Sequence, residues 1–369
     1  MNLSEEENNI TTDLRDSIIH ICDLERFSQL LQGEFKPGPD DFILTDSNTR
    51  RYCLPLLQDI IPEFEPEHVI TILEGEQNKS TESLEFIWKT LLANGAGRFS
   101  RLYCLGGGML TDIGGFAAST FMRGIRFINI PTTLIGMADA SIGGKTAVNL
   151  HDAKNVAGVF ALPDAVLVYP GFLDTLPQEE LLSGYAEIVK ISLVKDFVFW
   201  EEISSIAIAG LADRKHHELA PVISKAVRAK ASLVSEDLKD TGVRQCLNFG
   251  HTIGHAMEEL SLKKGNPVKH GFAVASGMLC ETYLSMKRAG LAPESQLVIE
   301  SYLIKNFPII RITYNDIPEI MANLFHDKKK NGGNSMFSLL KAPGQCLQGI
   351  ACELKLIEES LLHYISILP

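Results

Sequence analysis

Apolar residues fall in short runs between polar turns over the first half of the chain, and at helical spacing over the second. The segment Lys36-Pro37-Gly38-Pro39-Asp40-Asp41 is a turn, and Phe42-Ile43-Leu44-Thr45 after it predicts a short buried strand ended by Asp46. Val69 to Leu73, Arg101 to Leu105, Phe127 to Pro131 and Ala165 to Val168 predict four more strands. Ser83 to Asn94 carries Leu84, Ile87, Trp88 and Leu91 at a 3.6-residue period, and Asp112 to Thr120 reads as a helix of small residues. Strands alternating with helices predict a parallel sheet with crossover connections. Residues 1 to about 35 alternate apolar and polar without strong punctuation. Past Pro177 strand signals almost vanish. Gln178 to Leu193, His217 to Ser235, Asn248 to Leu260, Ala273 to Ala289 and Glu294 to Leu303 all carry helical periodicity. The pattern therefore predicts an α/β domain over 1–175 and a mostly helical domain over 176–369. No repeat of 20 to 50 residues is visible.

Composition narrows the class. With 369 residues, 45% hydrophobic and 22% charged, the chain is long enough for two cores and ordinary for a globular protein. The net charge of −12 argues against a nucleic-acid partner while leaving room for a local basic pocket. No apolar run of about 18 residues predicts a membrane span, and the acidic first twenty residues do not read as a signal peptide. The seven cysteines are scattered and never form CxxC, as expected of reduced thiols in a cytoplasmic protein.

Three regions carry candidate chemistry. Gly106-Gly107-Gly108 joins a strand to a helix, where backbone can approach a phosphate and a helix N-terminus can meet it. It is not GxGxxG, and such a turn can equally hold no ligand. The loop from Glu74 to Lys79 follows the second strand, where doubly wound sheets bind ligands. Arg123, Lys145, Lys154, Asn155, Lys190, Lys230 and Arg244 include basic residues beside glycines that suit an anion pocket, although a single lysine is more often a solvated surface group. In Asn248-Phe249-Gly250-His251-Thr252-Ile253-Gly254-His255 two histidines stand at i and i+4, a spacing used by paired metal ligands, with His270 on the next segment. The glutamate of HExxH is missing, and one histidine can be an ordinary core residue. Glu187 interrupts an otherwise apolar helix.

These motifs occur together in GGGMLTDIGGFAASTFMRG, IPTTLIGMADASIGGKTAVN, KNVAGVF, SGYAEIVK, LNFGHTIGHAMEE and HGFAVASGM. In that order the chain resembles the 3-dehydroquinate synthase family of sugar phosphate cyclases over roughly residues 40 to 340. The resemblance implies a Rossmann-like dinucleotide-binding domain followed by a helical metal- and substrate-binding domain. It implies a divalent metal, Zn²⁺ or Co²⁺, on Glu187, His251 and His270. It implies NAD along Glu74, Gly75, Glu76, Gln77 and Lys79, along Gly107, Gly108, Met109, Leu110, Thr111 and Asp112, at Thr132 and Thr133, and along Phe172, Leu173, Asp174 and Thr175, with Asp46 and Asn48 near the adenosine ribose. Lys145 and Lys154 lie where cofactor and substrate meet. Arg123, Asp139, Asn155, Lys190, Lys230, Arg244, Asn248 and His255 match the substrate pocket, and Lys328 or Lys329 reaches it. Asp240 matches an acidic position.

The implied reaction turns 3-deoxy-D-arabino-heptulosonate 7-phosphate into 3-dehydroquinate and phosphate by transient oxidation, phosphate elimination, re-reduction and an intramolecular aldol. His255 is the expected proton carrier, since imidazole titrates near neutrality. A homodimer with a small acidic sugar phosphate as its partner, and neither nucleic acid nor membrane, is the corresponding expectation. Phe272 departs from the family, which commonly has Glu there. The competing readings are another cyclase such as 2-epi-5-epi-valiolone synthase, a metal-dependent polyol or glycerol-phosphate dehydrogenase, and a non-catalytic nucleotide binder.

Overall fold

The computed structural model describes residues 9–62, 64–151, 153–205, 216–326 and 335–369. They group into two compact units, Met1–Pro177 with Arg214–Lys239, and Gln178–Asp213 with Asp240–Pro369. Sequence periodicity puts a single cut near 175. The helix over 220–236 instead belongs to the first unit, because its apolar face packs there, and amphipathicity alone does not say which partner a face will find.

The first unit is built on strands β1 (Ile10–Leu14), β2 (Ser17–Ile21), β3 (Phe42–Asp46), β4 (Val69–Ile72), β5 (Arg101–Gly106), β6 (Arg126–Pro131) and β9 (Ala165–Val168). Their order in the seven-stranded sheet is β1-β2-β9-β6-β5-β3-β4. All pairs are parallel except the β1–β2 hairpin. β3 and β9 are buried at every residue, as a parallel sheet covered on both faces requires. Helices α1 (Leu24–Gln32), α2 (Ser47–Tyr52), α3 (Leu54–Ile60), α4 (Thr81–Ala93) and α5 (Gly108–Thr120) connect the strands, and α8 (Ala220–Glu236) joins them from later in the chain. The α5 helix lies tight on the sheet: a Cβ on Gly114 would clash with Cys104 Sγ. The antiparallel hairpin β7 (Lys145–Leu150) and β8 (Ala153–Phe160) stands apart from the main sheet.

Four strands of this unit, β1, β2, β7 and β8, escape the sequence pattern. β1 and β2 are only five residues each, and their turn places Arg15, not a glycine, at φ 53°. The β7–β8 turn likewise has His151 at φ 52°.

The second unit is helical: α6 (Gln178–Lys195), α7 (Phe197–Ser204), α9 (His251–Lys263), α10 (His270–Arg288), α11 (Pro293–Asn306), α12 (Ile317–His326) and α13 (Leu354–Ile367). α10 runs through its centre, against α6, α9, α11 and α13. Strand signals do not vanish here after all. β10 (Ser335–Ala342) and β11 (Gln345–Cys352) form an antiparallel hairpin around Pro343-Gly344, with Gly344 at φ 80°. Proline then glycine is the signature of a type II turn. Its backbone N–H donates to Leu193 O at 2.7 Å, tying the hairpin to α6.

Candidate functional site

In the first unit the glycine loop ends β5 and opens α5, with Gly107 at the N-cap and no side chain capping it. A Cβ on Gly108 would clash with Ala140 Cβ at 2.8 Å, and one on Gly107 would press Thr133 Cγ2 at 3.0 Å, so both positions favour glycine. An uncapped helix start beside bare backbone fits a pyrophosphate. Lys79, 2% exposed, reaches across to this loop: its Nζ donates to Asp112 Oδ2 and to Asn155 Oδ1, both at 2.5 Å. Burial pushes the Asp112 carboxyl up, and Lys79 opposes that shift. Asp46 is the N-cap of α2, accepting from Thr49 N at 2.8 Å. Phe172 packs edge-on to Phe27, with ring centroids 5.9 Å apart. Lys230 on α8 donates to Asp139 O at 2.6 Å and to the Asp139 carboxylate, so two of the expected substrate residues are paired.

In the second unit, three side chains converge. Glu187 Oε1 lies 3.7 Å from His251 Nε2 and 3.3 Å from His270 Nε2. Glu187 is 1% exposed, and neither carboxylate oxygen takes a hydrogen bond of good geometry from the described residues. Lys190, also buried, contacts Oε2 at 2.5 Å. Burial opposes ionisation of Glu187, but Lys190 and the two imidazoles outweigh it and hold the carboxyl well below its usual range. Burial and Lys190 push His251 well below neutrality, leaving an imidazole lone pair for a cation. His251, His255 and His270 also offer nitrogens that all lie within 4.8 Å of one another. One carboxylate and two or three imidazoles suit Zn²⁺ or Co²⁺.

Backbone contacts set this cluster. Gly250, at φ 81°, turns the chain into α9. Gly277 lets α10 approach so closely that a Cβ there would clash with Gly250 O. Glu281, fully buried on α10, accepts from Gly250 N at 2.7 Å and Ile253 N at 3.0 Å. It caps the first turn of the helix that carries His251 and His255, where a negative charge is favoured. Sequence reasoning missed Glu281, although a charge in the apolar run from Ala273 to Leu284 was the same signal that singled out Glu187. It also missed Glu258, whose Oε2 lies 3.4 Å from His270 Nδ1. Glu258 thus faces one nitrogen of that imidazole and Glu187 the other, while Phe272 is buried. Arg244 is buried, Asn248 closes the same short helix, and His255 is exposed. Lys328 and Lys329 lie outside the described residues.

His270 carries a pH signature. Burial lowers its pKa, but the nearby Glu187 and Glu258 carboxylates raise it more, to about 10. The imidazole therefore holds its proton at neutral pH, and a cation taking Nε2 must displace it. Divalent-metal affinity should rise with pH from neutrality toward about 10, by about tenfold per unit at most. Titration calorimetry at pH 7.5 in two buffers of different ionisation enthalpy should report about one proton released per ion. Release of none would contradict the protonated state of His270.

Family profiles match both halves of the chain: 3-dehydroquinate synthase N-terminal over residues 69–183 and 3-dehydroquinate synthase C-terminal over 184–330. A 3-dehydroquinate synthase of Parabacteroides distasonis is 41% identical over 88% of this chain and 90% of its own. One from Salinibacter ruber is 35% identical over 91% of each. Among solved structures, 2-epi-5-epi-valiolone synthase from Streptomyces hygroscopicus with NAD⁺ and Zn²⁺ bound is 28% identical, with a TM-score of 0.74 over 88% of this chain and 91% of that one. A 2-deoxy-scyllo-inosose synthase complexed with carbaglucose-6-phosphate, NAD⁺ and Co²⁺ shares the fold at 23% identity, with a TM-score of 0.82 over 96% of this chain and 99% of that one. Matches that span both units, at identities well above what fold likeness alone needs, make this chain a member of the 3-dehydroquinate synthase family.

Proposed function

We infer that the chain is an enzyme, a carbon–oxygen lyase that converts 3-deoxy-D-arabino-heptulosonate 7-phosphate to 3-dehydroquinate and phosphate, in the shikimate pathway of aromatic amino acid biosynthesis. The observation that carries the reading is the convergence of Glu187, His251 and His270 beside buried Lys190, in a chain 41% identical to a 3-dehydroquinate synthase. Glu187, His251 and His270 hold the metal, and the loops at 74–79, 107–112, 132–133 and 172–175 hold NAD. When bound, the metal supplies a Lewis acid and NAD a hydride acceptor that is restored within each turnover.

The chain's own residues bind and orient the substrate and move its protons. Arg123, Lys154, Asn155 and either Lys328 or Lys329 bind the phosphate, the group that must leave. Lys230, Arg244 and Asn248 bind the carboxylate and hydroxyls. Lys190 keeps Glu187 anionic through their 2.5 Å contact. His255, exposed beside the His251 and His270 rings at 5.2 and 5.5 Å, carries the proton. The enzyme works as a homodimer in the cytoplasm, a compartment that suits seven free thiols. No helix among the described residues is long and apolar enough to cross a membrane.

The test follows phosphate release from 3-deoxy-D-arabino-heptulosonate 7-phosphate with catalytic NAD and Zn²⁺, recording NADH absorbance alongside. Stoichiometric phosphate and 3-dehydroquinate without net NADH is the expected outcome. Accumulating NADH means a dehydrogenase, and no turnover of this substrate means a cyclase for sugar phosphates that lack the carboxylate.

A further inference from the structure

We propose that Asn149 is a positioning residue that locks the loop at 74–79 to the β7–β8 hairpin, so that the two move as one body when NAD binds. The inference rests on the reading of that loop as an NAD-binding element. All of its polar groups but the carbonyl are committed to the task. Its backbone N–H donates to Lys79 O at 2.7 Å. Its Nδ2 donates to Glu76 O at 3.2 Å and to Glu76 Oε1 at 2.9 Å. Its Oδ1 accepts from Asn155 N at 2.9 Å.

That last bond falls where it is most needed. Asn155 sits at φ 58°, a left-handed conformation that a non-glycine residue adopts at a cost and that an external acceptor can fix. Asn155 Oδ1 in turn accepts from Lys79 Nζ. The bonds form a closed circuit: Lys79 backbone to Asn149, Asn149 side chain to Asn155, and Asn155 side chain back to the Lys79 ammonium. Removing the Asn149 amide leaves the loop tied to the hairpin by the Asn149 N–H to Lys79 O bond and the Lys79 ammonium alone, and takes away the acceptor that supports Asn155 N.

The circuit also explains the residue type. Aspartate has the same shape and keeps the acceptor for Asn155 N. It loses both donations to Glu76 and sets two carboxylates against each other at the 2.9 Å contact. Leucine would lose the whole side-chain set. The amide supplies two N–H donors for Glu76 and a carbonyl acceptor for Asn155 N from one planar group, a set that neither a carboxylate nor an aliphatic chain offers.

The experiment is a double-mutant cycle on the full chain, with NAD affinity read by titration calorimetry. N149D should weaken NAD binding by about tenfold or more, from the lost bonds and the added repulsion. It should raise the KM for the sugar phosphate while changing kcat by less, since Asn149 touches no reacting atom. E76Q added to N149D puts a donor opposite the introduced carboxylate and should recover NAD affinity by more than E76Q changes the parent. Zn²⁺ affinity of N149D should equal the parent's, which guards against general unfolding. Additive effects in the cycle, parental NAD affinity in N149D, or a parallel loss of Zn²⁺ binding each overturn the role. A parent chain that binds no NAD overturns the reading of the loop, and this role with it; that outcome shows before any variant is made.

Discussion

His251→Ala loses its divalent ion and its turnover while keeping its fold. The imidazole stands at the start of α9 with its Nε2 3.7 Å from Glu187 Oε1, so removing it takes away one of three converging donors. Loss of a mere supporting partner costs about 10- to 100-fold in metal affinity, so loss of a ligand should exceed about 100-fold. Losing several kcal/mol of Lewis-acid assistance should slow phosphate release by about a thousandfold or more. The fold survives because Glu187 keeps Lys190 at 2.5 Å, and no buried charge is stranded. Metal content by atomic absorption and melting by circular dichroism separate these effects. Two companions choose between the donor sets. If Glu187 completes the site, Glu187→Gln loses the ion and His255→Ala retains it. The reverse result would assign the ion to the three histidines, whose nitrogens also lie within reach of one another.

The parts of this arrangement that could be read in sequence are those that depend on local pattern. Buried runs such as Phe42 to Thr45 and Ala165 to Val168 announce parallel strands because both faces are covered. The i, i+4 spacing of His251 and His255 is itself the geometry of a helix face. Glu187 stands out because a carboxylate is costly in an apolar helix unless it has a partner or a task. What stays hidden depends on long-range partners. Nothing near Glu258 says that it will face His270, and nothing near Asn149 says that its amide will find Glu76, seventy-three residues earlier. Helix 220–236 is hidden in the same way: its apolar face is plain, but packing against β1 and the turn at Gly136–Ala140 is a tertiary choice. The β10–β11 hairpin is a different case. Pro343-Gly344 was a usable turn signal, but β10 is buried at positions 335 and 337–340 rather than in strict alternation, so the period of two was blurred.

Lys79→Met should cost both NAD binding and stability, and the two losses should answer differently to pH. The ammonium is the one charge that Asp112 meets at hydrogen-bond distance among the described contacts. Methionine fills a similar volume but leaves that carboxylate facing an apolar chain. Breaking a fully buried pair costs about 3–5 kcal/mol, and because the Asp112 side chain is 21% exposed the loss here should be nearer to about 2 kcal/mol. Burial already raises the Asp112 pKa against the pull of Lys79, and without the lysine it rises further. A carboxyl with a raised folded pKa costs stability once the unfolded chain can ionise it, so the penalty grows from the ordinary carboxylate range up to the raised pKa, stays constant above it and vanishes below the ordinary range. Thermal melts at pH 7.5 and pH 4 should therefore show a wide gap between variant and parent at the higher pH and a narrow one at the lower. NAD affinity should not recover at low pH, because protonating Asp112 restores neither the cation nor the anchor that Asn155 loses. A gap of equal size at both pH values would mean that the variant fails through packing, and that the Lys79–Asp112 pair contributes nothing to the fold.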